Sequence, residues 1–115
     1  MDTRWTRMVQ LVIIAGLGAS LAGCNWYSML NAKKSIKAGH QLYQAQEYER
    51  AVVAYEEVVA DPGAFEKDPD LTTAYFYLGN SYDNMYRPSR KGEQENDEFL
   101  IKAVKNYELA ADLIP

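Results

Sequence analysis

The chain has 115 residues, of which 48% are hydrophobic, with one cysteine, nine tyrosines and a net charge of −4. A single cysteine excludes a disulfide-stapled fold, and 115 residues are expected to hold about one small domain rather than a two-domain enzyme. The acidic balance, with an isoelectric point near 4.9, argues against a nucleic-acid surface, which is normally basic.

The N-terminus reads as a targeting segment. Met1–Met8 carries Arg4 and Arg7, and Val9–Ala22 is then uncharged and mostly apolar. This is the layout of a secretory leader, predicted over residues 1–23. The apolar run, about 15 residues, is shorter than the ~20 that span a bilayer. Gly16, Gly18 and Ser20 weaken it further as a spanning helix.

The run ends in Leu21-Ala22-Gly23-Cys24. This resembles the lipobox of bacterial lipoproteins: a branched apolar residue, two small residues and the cysteine. The resemblance implies a diacylglycerol on the Cys24 thiol, cleavage just before it, and acylation of the new amine. No other cofactor is expected. A thioether needs a soft nucleophilic sulfur, and two or three acyl chains hold a protein on a membrane where one does so only marginally. Asn25, rather than Asp, follows the cysteine. By the family's sorting habit this implies the outer membrane, with the chain facing the periplasm.

Residues 24–31 are expected to form a lipid-bearing tether. Four helices are predicted after it, over about 32–45, 47–60, 69–86 and 97–114. The second has the stripe Ala51, Val52, Tyr55, Val58, Val59 at helical spacing, and Asp61-Pro62-Gly63 stops it. Residues 63–68 are expected as a polar linker. Asp68 is the predicted cap of the third helix, with Pro69 in its first turn, and Pro88 ends it. Asn96 is the predicted cap of the fourth, with Asp97 and Glu98 suiting the helix dipole. No strand-like alternation of useful length occurs, so the predicted class is all-α, built of two helical hairpins over 32–62 and 69–115.

The two hairpins repeat. Tyr75-x-x-Leu78-Gly79-x-x-Tyr82, followed by Ala103-x-x-x-Tyr107-x-x-Ala110 and Pro115, aligns with Ser35-x-x-Ala38-Gly39-x-x-Leu42, followed by Ala51-x-x-x-Tyr55-x-x-Val58 and then Pro62, one residue early. This pattern is similar to the tetratricopeptide repeat, with Tyr in place of the usual Trp and Phe. The resemblance implies an α-α superhelix in which Gly39 with Ala51, and Gly79 with Ala103, let paired helices approach closely. Tyr55 and Tyr107 are expected to fill the gap towards the next repeat. Gly39 and Ala51 are 12 residues apart, whereas Gly79 and Ala103 are 24 apart. The second repeat therefore carries an insert near 86–97, basic and then acidic, read either as a binding loop or as a solvated insertion of little cost. Arrays usually need three or more repeats. Val104, Tyr107 and Ala111 are thus expected at an open end that a longer array or a partner covers.

No catalytic set is legible. His40 is the one histidine and shares no metal-ligand spacing with Cys24, and the acidic pairs lack metal-loop spacing. The family resemblance implies a concave groove lined by the first helix of each repeat. Carried over by position, it comprises Lys33, Lys37, His40, Tyr43 and Gln44, then Thr73, Phe76, Tyr77, Asn80, Asp83 and Asn84. Lys33, Lys37 and Asn80 bear a partial likeness to the clamp some members use for a terminal carboxylate. The expected function is a lipid-anchored tetratricopeptide scaffold that binds proteins in cell-envelope assembly, as outer-membrane-assembly and pilus-assembly lipoproteins do. It is expected to be no enzyme and to bind neither nucleic acid nor a small-molecule substrate. The alternative is a docking module for a longer enzyme or transport subunit.

Overall fold

The computed structural model describes the secondary structure of residues 3–115 and the side chains of residues 24–115. The leader expected over 1–23, with Leu21, Ala22 and Gly23, lies outside the residues whose side chains are described. The described chain is all-helical, with α1 over Thr3–Gln44, α2 over Tyr48–Val59, α3 over Gly63–Lys67, α4 over Ala74–Met85 and α5 over Gln94–Leu113. Short 3₁₀ turns cover Pro69–Thr73 and Pro88–Arg90. Successive long helices pack in a zigzag, α1 on α2, α2 on α4 and α4 on α5, while α3 lies against α1. No helix among the described residues is long and apolar enough to cross a membrane.

The core follows the helical stripes. Tyr55, Val58, Ala51, Ala74 and Leu78 are essentially fully buried, joined by Ala64 and Ala103. Each large buried side chain contributes roughly 1.5–3 kcal/mol. Small residues dominate where helices cross, which brings their axes close and lets one tyrosine on each second helix reach across. A Cβ built on Gly39 would lie 2.8 Å from the Tyr55 ring. One built on Gly79 would lie 2.9 Å from the Tyr107 ring and 3.1 Å from the Ala103 carbonyl oxygen. Glycine is required at both positions for space, not for backbone angle.

Several boundaries differ from the sequence expectation. Residues 25–31, expected as a tether, belong to α1; no proline or glycine occurs between Asn25 and Ala38 to break the helix. The expected linker 63–68 contains α3, because Ala64 drops into the core and Phe65 meets Tyr75 edge-on at 5.9 Å. Asp68 does act as a cap, accepting the Asp70 N–H at 3.1 Å, but it opens a 3₁₀ turn ahead of α4. α5 begins at Gln94, so Asn96 is not its cap. The Asn96 side chain instead accepts from the Arg87 N–H at 2.8 Å and donates to the Arg87 carbonyl at 2.9 Å. The insert is thereby clasped across its neck, and Gly92, at φ +98°, donates to the Asp97 carboxylate.

The α1–α2 turn closes with paired hydrogen bonds, from the Glu47 N–H to the Leu42 carbonyl and from the Gln46 N–H to the Tyr43 carbonyl. This is a Schellman closure, and its left-handed position holds Gln46 at φ 60°, where glycine is usual. Gln46→Gly is expected to raise stability by about 0.5–1 kcal/mol, the left-handed penalty less the glycine entropy, read as a higher urea midpoint. Gly79→Ala is expected to destabilise by on the order of 1–3 kcal/mol, since the Ala103 backbone cannot move aside, and Gly79→Leu by more. An unchanged thermal midpoint in both variants would refute the close approach.

Candidate functional site

The end of α1 and the inner face of α4 place seven of the eleven groove candidates together. The Tyr43 hydroxyl donates to Asn80 Oδ1 at 2.7 Å, and Asn80 Nδ2 donates to the Tyr107 hydroxyl at 3.1 Å. Tyr107 in turn donates to Asp83 Oδ2 at 3.2 Å. Asn84 Nδ2 donates to the Asn80 carbonyl and to Asn80 Oδ1. Around this chain the rings interlock: Tyr77 meets His40 at 4.7 Å and Tyr43 at 5.2 Å, both edge-on, and stacks on Tyr55 at 5.8 Å. Phe76 packs against Tyr77 and Tyr107. Such aromatic pairs are each worth about 0.5–1.5 kcal/mol beyond their burial.

The other four candidates lie apart from this cluster. Lys33 pairs with Asp68 at 3.5 Å. Lys37 and Gln44 lie on α1 outside this cluster. Thr73 donates its hydroxyl to the Asp70 carbonyl within its own turn. The partial carboxylate-clamp likeness therefore loses its geometry, because Lys33 is taken by Asp68 and Asn80 by two tyrosines and Asn84.

Two residues of the cluster were expected only as packing. Tyr55 and Tyr107 bring their hydroxyls into the polar chain, with Tyr55 2.6 Å from His40 Nδ1 and Tyr107 between Asn80 and Asp83. The signal for them is the repeat itself, which sets each tyrosine opposite the glycine of its own hairpin.

Burial fixes the protonation of the cluster. It pushes the phenol pKa values of Tyr55, Tyr43 and Tyr107 upward and holds His40 below the usual histidine value of 6.5, since low dielectric disfavours each charged form. Neutral imidazole and protonated phenol then share one uncharged hydrogen bond. The result is an array of uncharged hydroxyls, amides and ring faces with the Asp83 carboxylate at its edge, suited to holding backbone and side-chain amides. Among the described residues no group of His, Cys, Asp and Glu is arranged to hold a metal.

A second surface lies on α5. Matching Tyr55 to Tyr107 sets Val52 on Val104 and Glu56 on Glu108. Val52 is 9% exposed beneath α4, whereas Val104 is 49% exposed and its neighbour Ile101 66%. Glu56 accepts the Tyr82 hydroxyl at 2.6 Å, while Glu108 is exposed. The expected open end at Val104 and Ala111 is thus uncovered, whereas Tyr107 turns inward to the polar chain. A third feature is an open cleft of about 580 Å³ between the α1–α2 turn and the insert, bordered by Tyr48, Arg50, Met85, Arg87 and Phe99.

The His40–Tyr55 contact has a pH signature. The folded state takes up the His40 proton less readily than the unfolded chain, so the unfolded chain binds more protons just below pH 6.5. Stability is therefore full above that pH and falls as pH drops through it. Thermal midpoints are expected to decline from pH 7.5 to 5, with His40→Gln flattening that part of the profile; an equally steep profile in the variant would rule out His40 as its source. No family profile, curated protein or solved structure matches this chain.

Proposed function

We propose that the protein is a lipid-anchored scaffold of tetratricopeptide type, held by Cys24 on the periplasmic side of the outer membrane and binding other proteins during cell-envelope assembly. One observation carries the repeat part of this reading. Gly39 sits beneath the Tyr55 ring and Gly79 beneath the Tyr107 ring, so two hairpins with different connections make the same contact. A pair of unrelated helical hairpins has no reason to share it. The anchoring part rests on the lipobox resemblance, and Cys24 is exposed with a free thiol position.

The same geometry supports binding over chemistry. The inner cluster consists of hydroxyls, amides and rings with one carboxylate, Asp83, at its edge, and the open strip on α5 carries Leu100, Ile101 and Val104. Contiguous exposed apolar side chains are the kind of surface on which contacts with other chains form. In a stacked array the next helix would lie on that strip as α4 lies on α2.

Expression of the full chain in a double-membraned bacterium tests the anchor. The native protein is expected to be recovered with membranes, with its N-terminal fragment carrying acylated Cys24. Cys24→Ser is expected to accumulate as an unprocessed precursor. Normal cleavage and membrane retention of that variant would refute the lipoprotein reading.

A further inference from the structure

Beyond Cys24, α1 carries a patch that packing does not use. Trp26 is 57% exposed, Tyr27 64% and Leu30 41%, on a helix whose other side buries Ala32 and Gly39. Trp26, Leu30, Lys33 and Lys37 recur at i, i+4, i+7 and i+11 and share one stripe. It faces away from the line of Ala32, Ile36 and Gly39 that meets the core. Tyr27 and Lys34 flank it.

We infer that this stripe is a membrane-interface face, its Trp26–Leu30 end seated among the headgroups of a bilayer with anionic lipids and its lysines facing those headgroups from the water. The inference rests on the lipid-anchor reading for the orientation of α1. At 1.5 Å per residue, Trp26, Tyr27 and Leu30 lie within about 9 Å of Cys24 along the axis. The polar layer on each side of a bilayer is of similar depth, roughly 5–8 Å. With acyl chains on Cys24, the three side chains therefore fall in the layer where Trp and Tyr are enriched, because their rings are apolar and their N–H and O–H groups need water or headgroups.

The lysines complete the match. Lys33, Lys34 and Lys37 follow about one to two turns later, and helical side chains lean towards the N-terminus, so their ammonium groups reach back towards the headgroups. Lys33 is shared with Asp68 at 3.5 Å, whereas Lys34 and Lys37 pair with no carboxylate among the described residues. On the neighbouring elements the facing acids are Glu57, which accepts from Ser35, and Asp61, which accepts from the Gly63 N–H. The folded chain is acidic overall, so this basic stretch beside an aromatic patch is a local exception that suits an anionic surface.

The test uses the full chain carrying Trp5→Phe, which leaves Trp26 as the sole tryptophan. The protein is purified from membranes and reconstituted into vesicles of phosphatidylethanolamine and phosphatidylglycerol. Trp26 emission is expected to be blue-shifted, quenched by lipids brominated near the top of the acyl chain, and shielded from aqueous iodide. Lys34→Glu with Lys37→Glu is expected to weaken the bromolipid quenching. Water-like emission with full iodide quenching would overturn the inference, as would shielding from iodide without bromolipid quenching, which would mean that protein covers the patch. The mass of the Cys24 fragment from the same sample separates the two readings. Acylated Cys24 with Trp26 in water defeats the interface face and leaves the anchor, whereas unmodified Cys24 with Trp26 quenched by bromolipid defeats the anchor and leaves the face.

Discussion

The structure depends on the seating of a tyrosine ring on a bare glycine backbone, made once in each hairpin. Tyr55 lies on Gly39 and Tyr107 on Gly79, at separations that admit no side-chain carbon. The contact sets how near the first helix of a hairpin comes to the second. It also decides where each hydroxyl emerges, because a rigid ring seated on the neighbouring backbone carries its oxygen through to the far side. There Tyr55 meets His40, and Tyr107 meets Asn80 and Asp83. Packing in the core and polar geometry on the inner surface are thus consequences of one steric choice.

The inner surface is correspondingly self-engaged. Tyr43, Asn80, Tyr107, Asp83 and Asn84 satisfy one another, and none of the buried side-chain polar atoms among the described residues lacks a partner. A ligand entering here would have to exchange these bonds for its own, each worth about 0.5–1.5 kcal/mol net. The uncovered strip of α5 carries no such cost. Covering Leu100, Ile101 and Val104 releases water from apolar surface without breaking internal bonds. The two surfaces therefore differ in kind: the inner one presents polar groups already bonded to one another, and the outer one exposes hydrophobic area.

Much of the fold is legible in the residues, and the parts that are not have physical reasons. The stripe Ala51, Val52, Tyr55, Val58 foretells the buried face of α2, and the glycine-to-tyrosine spacing foretells which helices pair. Periodicity says nothing about a helix that continues without a breaker, so Asn25–Asn31 reads as a tether from its polar start and is helical in fact. Asp61-Pro62-Gly63 is a stop for α2 and at once the start of α3, because proline suits the position just before a first helical turn. Asn96 has the residue type of a cap, but a cap needs its own next turn as partner, and the partner it finds is Arg87. Among the groove candidates, position along α1 and α4 brings seven of the eleven together, yet only neighbouring helices decide that Lys33 belongs to Asp68 and Tyr43 to Asn80.

The clasp between Asn96 and Arg87 bears on how such a chain can vary. One side-chain amide holds both backbone groups of Arg87 where α4 hands over to α5, so the hairpin is closed upstream of the insert's tip. Residues 88–93 hang from this knot as a bight whose length has little leverage on the helices it joins. A segment placed this way can lengthen, shorten or change its charge by small evolutionary steps while the two helices remain in register. The second hairpin can thus diverge in its connection and still keep the same tyrosine on the same glycine as the first.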